Sequence, residues 1–336
     1  MSDRNRRFLL RERPSGRIGP DTFELTEEAV PEIGDGEALV RVEWISLDPT
    51  NRTWINDTPT YLPPVGIGEV MRGGGLGEVV ASKNPNYVVG QNVQGLVGWQ
   101  EYTVASDAMP LFPVDVAKGI SPSAYMGALG MTGLTAWVGI RDIGKPQPGE
   151  TVVVSAAAGA VGSVAARLAK ADGPGRRDRR RAREVRAADR PAWIRRGGGP
   201  PRRRLGRPAC RGDAQRHRYR LRKRRRQHHG RDLRAPQSTR ARCALRSDLR
   251  LQLDGPAART AHVRKPADPA RDAAGFIVLD HFGRAPEAIR EIAGLITEGR
   301  LTPPETVVEG FQQLPTAINM LFDGKNVGKL VVKTSG

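Results

Sequence analysis

The stretch with the clearest capacity for chemistry is Thr151 to Lys170, TVVVSAAAGAVGSVAARLAK. Thr151 to Ser155 is a β-branched apolar run, which predicts a strand buried on both faces. Ala156 to Gly162 follows with only alanine, glycine and one valine, so the backbone there is open to close approach. Ser163 to Lys170 is rich in helix formers and sets Val164 and Leu168 on one face. Strand, glycine turn and helix in this order open a dinucleotide-binding unit. The pyrophosphate rests on the free N–H groups and the positive dipole end of the helix. A glycine turn can also serve only to pack a helix tightly on a sheet, and it is the order of the three elements that favours binding.

Metal chemistry is disfavoured. Catalytic zinc needs Cys or His ligands, and residues 1–209 contain neither. His281 stands alone after an apolar run and reads as structural or solvated. Two cysteines give no disulfide framework.

The elements that must position the glycine turn are legible on both sides of it. Residues 1–20 are polar and read as a loose end before the first strand. Glu37 to Ile45 alternates apolar and polar, a half-buried antiparallel strand. Leu47-Asp48-Pro49 turns the chain, and Thr50 to Tyr61 reads as a polar loop. Leu76 to Ala81, Asn92 to Val97 and Gln100 to Val104 are short β-rich segments punctuated by glycine, as in a small barrel. Ser121 is placed to cap a helix carrying Ala124, Leu129 and Met131. Later, Gly275 to Asp280 (GFIVLD) reads as a buried strand, and Pro286 to Glu298 as a helix with Ile289, Ile292, Leu295 and Ile296 on one face. Leu314 to Phe322 reads as an amphipathic helix and Gly328 to Lys333 as a closing strand.

At 336 residues the chain has room for two domains. It shows no basic-then-apolar leader and no apolar run of membrane-spanning length, so a soluble cytoplasmic protein is expected. The net charge of +18 would ordinarily suggest nucleic acid. Its placement argues otherwise. Residues 174–274 hold 31 Arg and 2 Lys against 9 acidic residues, a net of +24, and the other 235 residues carry −6. That window also holds both cysteines and four of the five histidines, but no Phe and a single Ile, Ile194.

Taken together, LDPTNR at 47–52, MTGLTAW at 131–137, AAAGAVGSV at 156–164, GFIVLDHF at 275–282 and GKNVGKLVVK at 324–333 resemble the zinc-independent medium-chain dehydrogenase/reductases. The resemblance is nearest to the NADPH-dependent leukotriene-dehydrogenase, prostaglandin-reductase and curcumin-reductase enzymes, and covers 1–172 and 275–336. It implies an α/β fold in which a GroES-like β-barrel substrate domain (1–123 and 299–336) encloses a Rossmann doubly wound domain (124–298). It further implies NADPH contacts at Gly159, Ala160, Val161 and Gly162 around the pyrophosphate, at Phe276, Ile277 and Val278 beside the nicotinamide, and at Asn326. From the residues alone, Phe276 to Val278 could equally be core strand, and Asn326 a turn residue before Gly328. Tyr61 and Met131 are candidates to line the substrate pocket, and no residue is assigned as a catalytic acid or base. The partners implied are a small enone or enal and a second copy in a homodimer, with no nucleic acid and no membrane.

Between Gly173 and Ala274 the family pattern disappears, and Arg-rich, Phe-free text is expected to supply none of the further buried strands. A shifted reading frame accounts for this. Residues 221–227, LRKRRRQ, back-translated with free third bases and read one base later, give FENVGGN. Residues 173–180 give ARVVGIAG, 183–199 give EKCGLLTDRLGFDAAVD, 242–253 give VALCGLISGYNS and 263–272 give FGNLLIQRAT. Each resembles the family in the right order, including a lysine suited to an adenosine 2′-phosphate. The inference is a base gained near Asp172 and one lost near Ala274. The function expected is hydride transfer from NADPH to the activated C=C bond of α,β-unsaturated ketones or aldehydes, weakened or lost in the chain as written. The alternatives are an inactive pseudogene-like product, or a basic nucleic-acid-binding protein whose window offers only Trp193 and Tyr219 for stacking.

Overall fold

A computed structural model describes residues 4–57, 62–147, 151–171, 241–245 and 274–334. Its centre is β3 (Ala38–Leu47), reached after a hairpin of β1 (Arg4–Leu10) and β2 (Phe23–Ala29). The alternation of β3 sends Ala38, Val40 and Val42 inward, with Ile45 to Leu47 buried at its end. Register shifts at Leu39/Val40 and Val42/Trp44 bend the strand, as bulges do. It thereby pairs antiparallel with β4 (Gly74–Ser82), β6 (Tyr102–Ala105) and the C-terminal β11 (Lys329–Lys333). The sheet continues from β4 to β5 (Asn92–Leu96) and β7 (Phe112–Val114), and from β11 to β10 (Glu305–Glu309), which lies parallel to it. The C-terminal β10 and β11 thus join β3 to β7 in one seven-stranded sheet among the described residues, and β1 with β2 forms a separate two-stranded sheet. Its core gathers Phe8, Phe23, Trp99 and Phe311, with Phe8 and Phe311 stacked at 5.2 Å and Trp99 edge-on to Phe8 at 6.2 Å.

A second core lies under the helices. α1 is Pro49–Ile55, α2 Met131–Val138, α3 Ala160–Ala171 and α4 Ala285–Thr297. Leu134 and Trp137 of α2, Val164 and Leu168 of α3, and Ile292 and Leu295 of α4 are buried together. Ile289 and Ile296 pack at its margin, as the one-faced pattern predicts. Under them, β8 (Thr151–Val154) pairs in parallel with β9 (Ala241–Leu245). Two short helices close the chain before β11: α5 (Leu314–Ala317) and α6 (Met320–Asp323).

Several expectations are corrected. Arg4–Leu10 is not a loose end, because Asn5, Phe8 and Leu10 are buried in β1. The segment after Asp48 is helix rather than loop. Asp48 is extended, Pro49 supplies a preset first helical residue, and Asn51 Oδ1 accepts the Asp48 N–H at 2.7 Å. Ser121 precedes only a short 3-10 turn, Pro122–Met126, and α2 starts afresh at Met131. The helix expected over Leu314 to Phe322 breaks at Ile318 and Asn319, and Phe322 is exposed.

β8 is not buried on both faces. Val152 and Val154 pack on the helical core, whereas Val153 is 56% exposed. GFIVLD is not a strand. Val278–Arg284 is a 3-10 turn, and Ile277 and Leu279 are exposed. A strand exists only through pairing, and no described strand lies beside this segment. Within the basic window residues 241–245 form one strand, β9, paired with β8. Its sequence ARCAL carries one charge only, and it occupies the stretch where the shifted frame begins VALCG.

Candidate functional site

The glycine turn is built by α3 starting three residues before Ser163. Ala156 takes a left-handed conformation (φ 50°) and its carbonyl accepts the Gly159 N–H at 2.9 Å. Ser163 N–H donates to Gly159 O at 3.0 Å and so begins the helical ladder. The N–H groups of Ala160, Val161 and Gly162 fall in the first turn, where no intrahelical carbonyl can reach them. A methyl group at Gly162 would collide with the Ala156 carbonyl, so only glycine lets helix and turn meet this closely.

The turn is tied to the closing strand. Gly328 N–H donates to Ala158 O at 2.6 Å, and Gly159 and Gly328 form a parallel bridge. Gly328 is itself left-handed (φ 71°), and a side chain there would strike the Pro304 carbonyl. Asn326 Nδ2 donates to Gly328 O at 3.0 Å, which holds the loop shape. The structure therefore brings Asn326 to the turn through its neighbour Gly328.

The other predicted residues are placed differently. Phe276 and Val278 pack at the edge of the helical core, the segment lies mainly on α2 and α4, and Ile277 is 52% exposed. His281 stands edge-on to Phe276 at 5.6 Å. Met131 opens α2 with its side chain 44% exposed. Tyr61 lies outside the described residues.

Two charged clusters escape a reading by motif. Glu291 of α4 accepts Trp137 Nε1 at 2.6 Å and pairs with Arg141. Burial works to raise its carboxyl, but the bonds from Arg141 and Trp137 outweigh that and hold it below the usual range. Arg284, 4.4 Å over the Trp137 ring, pairs with Asp142 and Glu287. On the sheet side, Glu305 bonds to Ser123, and burial pushes its carboxyl up although Ser123 and Lys329 pull the other way. Periodicity conceals these groups, because their partners are distant in sequence. Among the described residues no grouping of His, Cys, Asp and Glu could hold a metal, and no helix is long and apolar enough to cross a membrane.

Residues 6–114 match the N-terminal domain of oxidoreductases. The chain is 43% identical over 173 residues to the NADPH-dependent curcumin reductase of Escherichia coli, and spans about half the length of that relative. Over 379 aligned positions it is 31% identical to YfmJ of Bacillus subtilis, assigned by name to the NADP-dependent oxidoreductases, covering 100% of this chain and 99% of that one. The chain belongs to the zinc-independent medium-chain dehydrogenase/reductases. Its architecture, a GroES-like sheet domain with a Rossmann-type unit, is shared with CurA of Vibrio vulnificus in complex with NADPH. That match has a TM-score of 0.66 at 27% identity, over 98% of this chain and 99% of that one.

Proposed function

We propose that this family member is an NADPH-dependent reductase of the activated C=C bond of α,β-unsaturated ketones and aldehydes. The observation that carries the reading is the turn at 156–162, with the amides of Ala160, Val161 and Gly162 in the first turn of a twelve-residue helix and Gly162 sealing it against Ala156. It is supported by the name of the Escherichia coli relative, since curcumin is a conjugated enone, and by the NADPH complex of CurA. The residues present fit a dinucleotide at the phosphate end. Ala160, Val161 and Gly162 N–H would hold the pyrophosphate, the positive end of α3 adds to this, and the Asn326 loop would close on the same side. When bound, the cofactor supplies a hydride to the β-carbon of the enone. The chain's part is to orient the two reactants and exclude water. Phe276, Ile277 and Val278 are assigned to the nicotinamide side, Met131 and Tyr61 to the substrate side, and no side chain is assigned the α-carbon proton. Residues 1–123 and 299–336 form the substrate domain in this reading, and 124–298 the cofactor domain. A small enone or enal partner, a homodimer and a cytoplasmic location go with it.

The reading includes the basic window. We infer that 173–274 is written in a shifted frame, and the exposure of Val153, Ile277, Leu279 and Phe282 supports this, because a complete doubly wound sheet covers such faces. The test is NADPH fluorescence quenching with the chain as written, the frame-restored chain, and the restored chain carrying Gly162→Ala. The restored chain is expected to bind saturably and to oxidise NADPH only when an enone is present. Gly162→Ala is expected to weaken binding by about tenfold or more, since the backbone must move away from the phosphate position. Failure of the restored chain to bind NADPH overturns the reading. Steeply salt-dependent DNA binding by the chain as written would favour the nucleic-acid alternative.

A further inference from the structure

The residue after Gly328 carries a charge that the reductase reading does not use. Lys329 opens β11 with its side chain only 4% exposed. Its Nζ donates to Leu47 O at 2.9 Å and to Asp48 Oδ1 at 2.8 Å. Asp48 also accepts the Ser46 hydroxyl and stands at the N-cap of α1. The Lys329 stem lies over Gly127, where an added Cβ would come within 3.2 Å of it. In the parallel pair of β10 and β11, Lys329 is in register with Glu305. The next three residues, Leu330, Val331 and Val332, are fully apolar and buried, so packing alone would be met by another aliphatic side chain. A buried ammonium is costly unless every bond is well made. Its use is directional: it joins the end of β3 and the start of α1 to the strand whose preceding residue is hydrogen-bonded to the glycine turn.

We propose that Lys329 is a positioning residue that holds the start of α1 at a fixed offset from the glycine turn. The link runs from Asp48 through Lys329 and Gly328 to Ala158. The mechanical coupling stands on these bonds alone. Its consequence for catalysis rests on the reductase reading: α1 belongs to the substrate side and the turn to the cofactor side, so Lys329 sets the approach of the enone to the nicotinamide.

The test is amide hydrogen exchange on the full chain, with and without NADPH, for the unaltered protein, Lys329→Met, Asp48→Asn and the double variant. Lys329→Met is expected to speed exchange about tenfold in both 46–52 and 156–163 while leaving β4 and β5 unchanged. Asp48→Asn keeps the lysine and is expected to loosen the same two segments, and the double variant to add little to either single change. A change confined to 46–52, or a fully additive double variant, overturns the coupling. In the frame-restored chain, kcat is expected to fall about tenfold in Lys329→Met with NADPH affinity held within about threefold, a split that lost stability alone does not produce. If NADPH leaves the turn unprotected in the unaltered and restored chains alike, the cofactor reading falls while the exchange pattern still judges the coupling.

Discussion

The seven-stranded sheet and the region around the glycine turn draw on similar apolar residues but are closed to different degrees. In the first, β3 has partners on every side, and Phe8, Trp99 and Phe311 are buried against one another. In the second, α2, α3 and α4 pack one face of β8, while Val153, Ile277 and Leu279 face outward. The difference is not in local propensity, since TVVV and GFIV are as strand-prone as the segments of the sheet. Burial of a parallel strand needs cover on both faces and neighbours on both edges, and only β9 is described beside β8. The helices remain because each needs only one apolar face and a partner helix.

Substitutions in the two cores sharpen this contrast. Trp99→Ala is expected to cost about 3–5 kcal/mol, as the loss of a large fully buried side chain. Urea unfolding would show this as a lowered midpoint, and a loss below about 1 kcal/mol would mean the sheet core is looser than its contacts imply.

The two part-buried carboxyls respond to pH in opposite senses. Glu291, held below the usual range, contributes stability above the ordinary carboxylate pKa, and that contribution is lost as pH falls through its lowered value. Glu305, pushed up by burial, takes up a proton more readily in the folded state, so stability declines as pH rises from the ordinary carboxylate range through its raised value. Glu291→Gln is expected to cost about 1 kcal/mol near neutrality, since the pair with Arg141 is partly solvated. Glu305→Gln should flatten the decline instead. Thermal melts across the acid range test both, and parallel curves for the two variants would contradict the assignment. The smallest effect expected is at Val153→Thr, within about 0.5 kcal/mol, because that side chain faces outward in the chain as written. A loss of 1–2 kcal/mol there in the frame-restored chain, measured by the same urea titration, would show its outer face covered.

Much of the positioning frame is legible in the residues. The alternation of Glu37 to Ile45, the apolar face of α4 and the tiny residues between β8 and α3 are local statements, and local statements survive folding. α1 is legible too, since Asp48-Pro49 has the residue types of an N-cap and a first helical position. What escaped was whatever depends on a distant partner. β1 is a strand because β2 returns beside it, GFIVLD is none because nothing described pairs with it, and Lys329 is a buried strut because Asp48 waits 281 residues away.

The family, the glycine turn and the boundaries of the basic window are all written in residue type and order within a short span. That the closing strand anchors the turn, that Asn326 shapes its loop, and that Lys329 meets Asp48 at the start of α1 are outcomes of the tertiary fold. Those outcomes depend on which backbone carbonyls and carboxylates come within about 3 Å of a donor, and no local pattern encodes that distance.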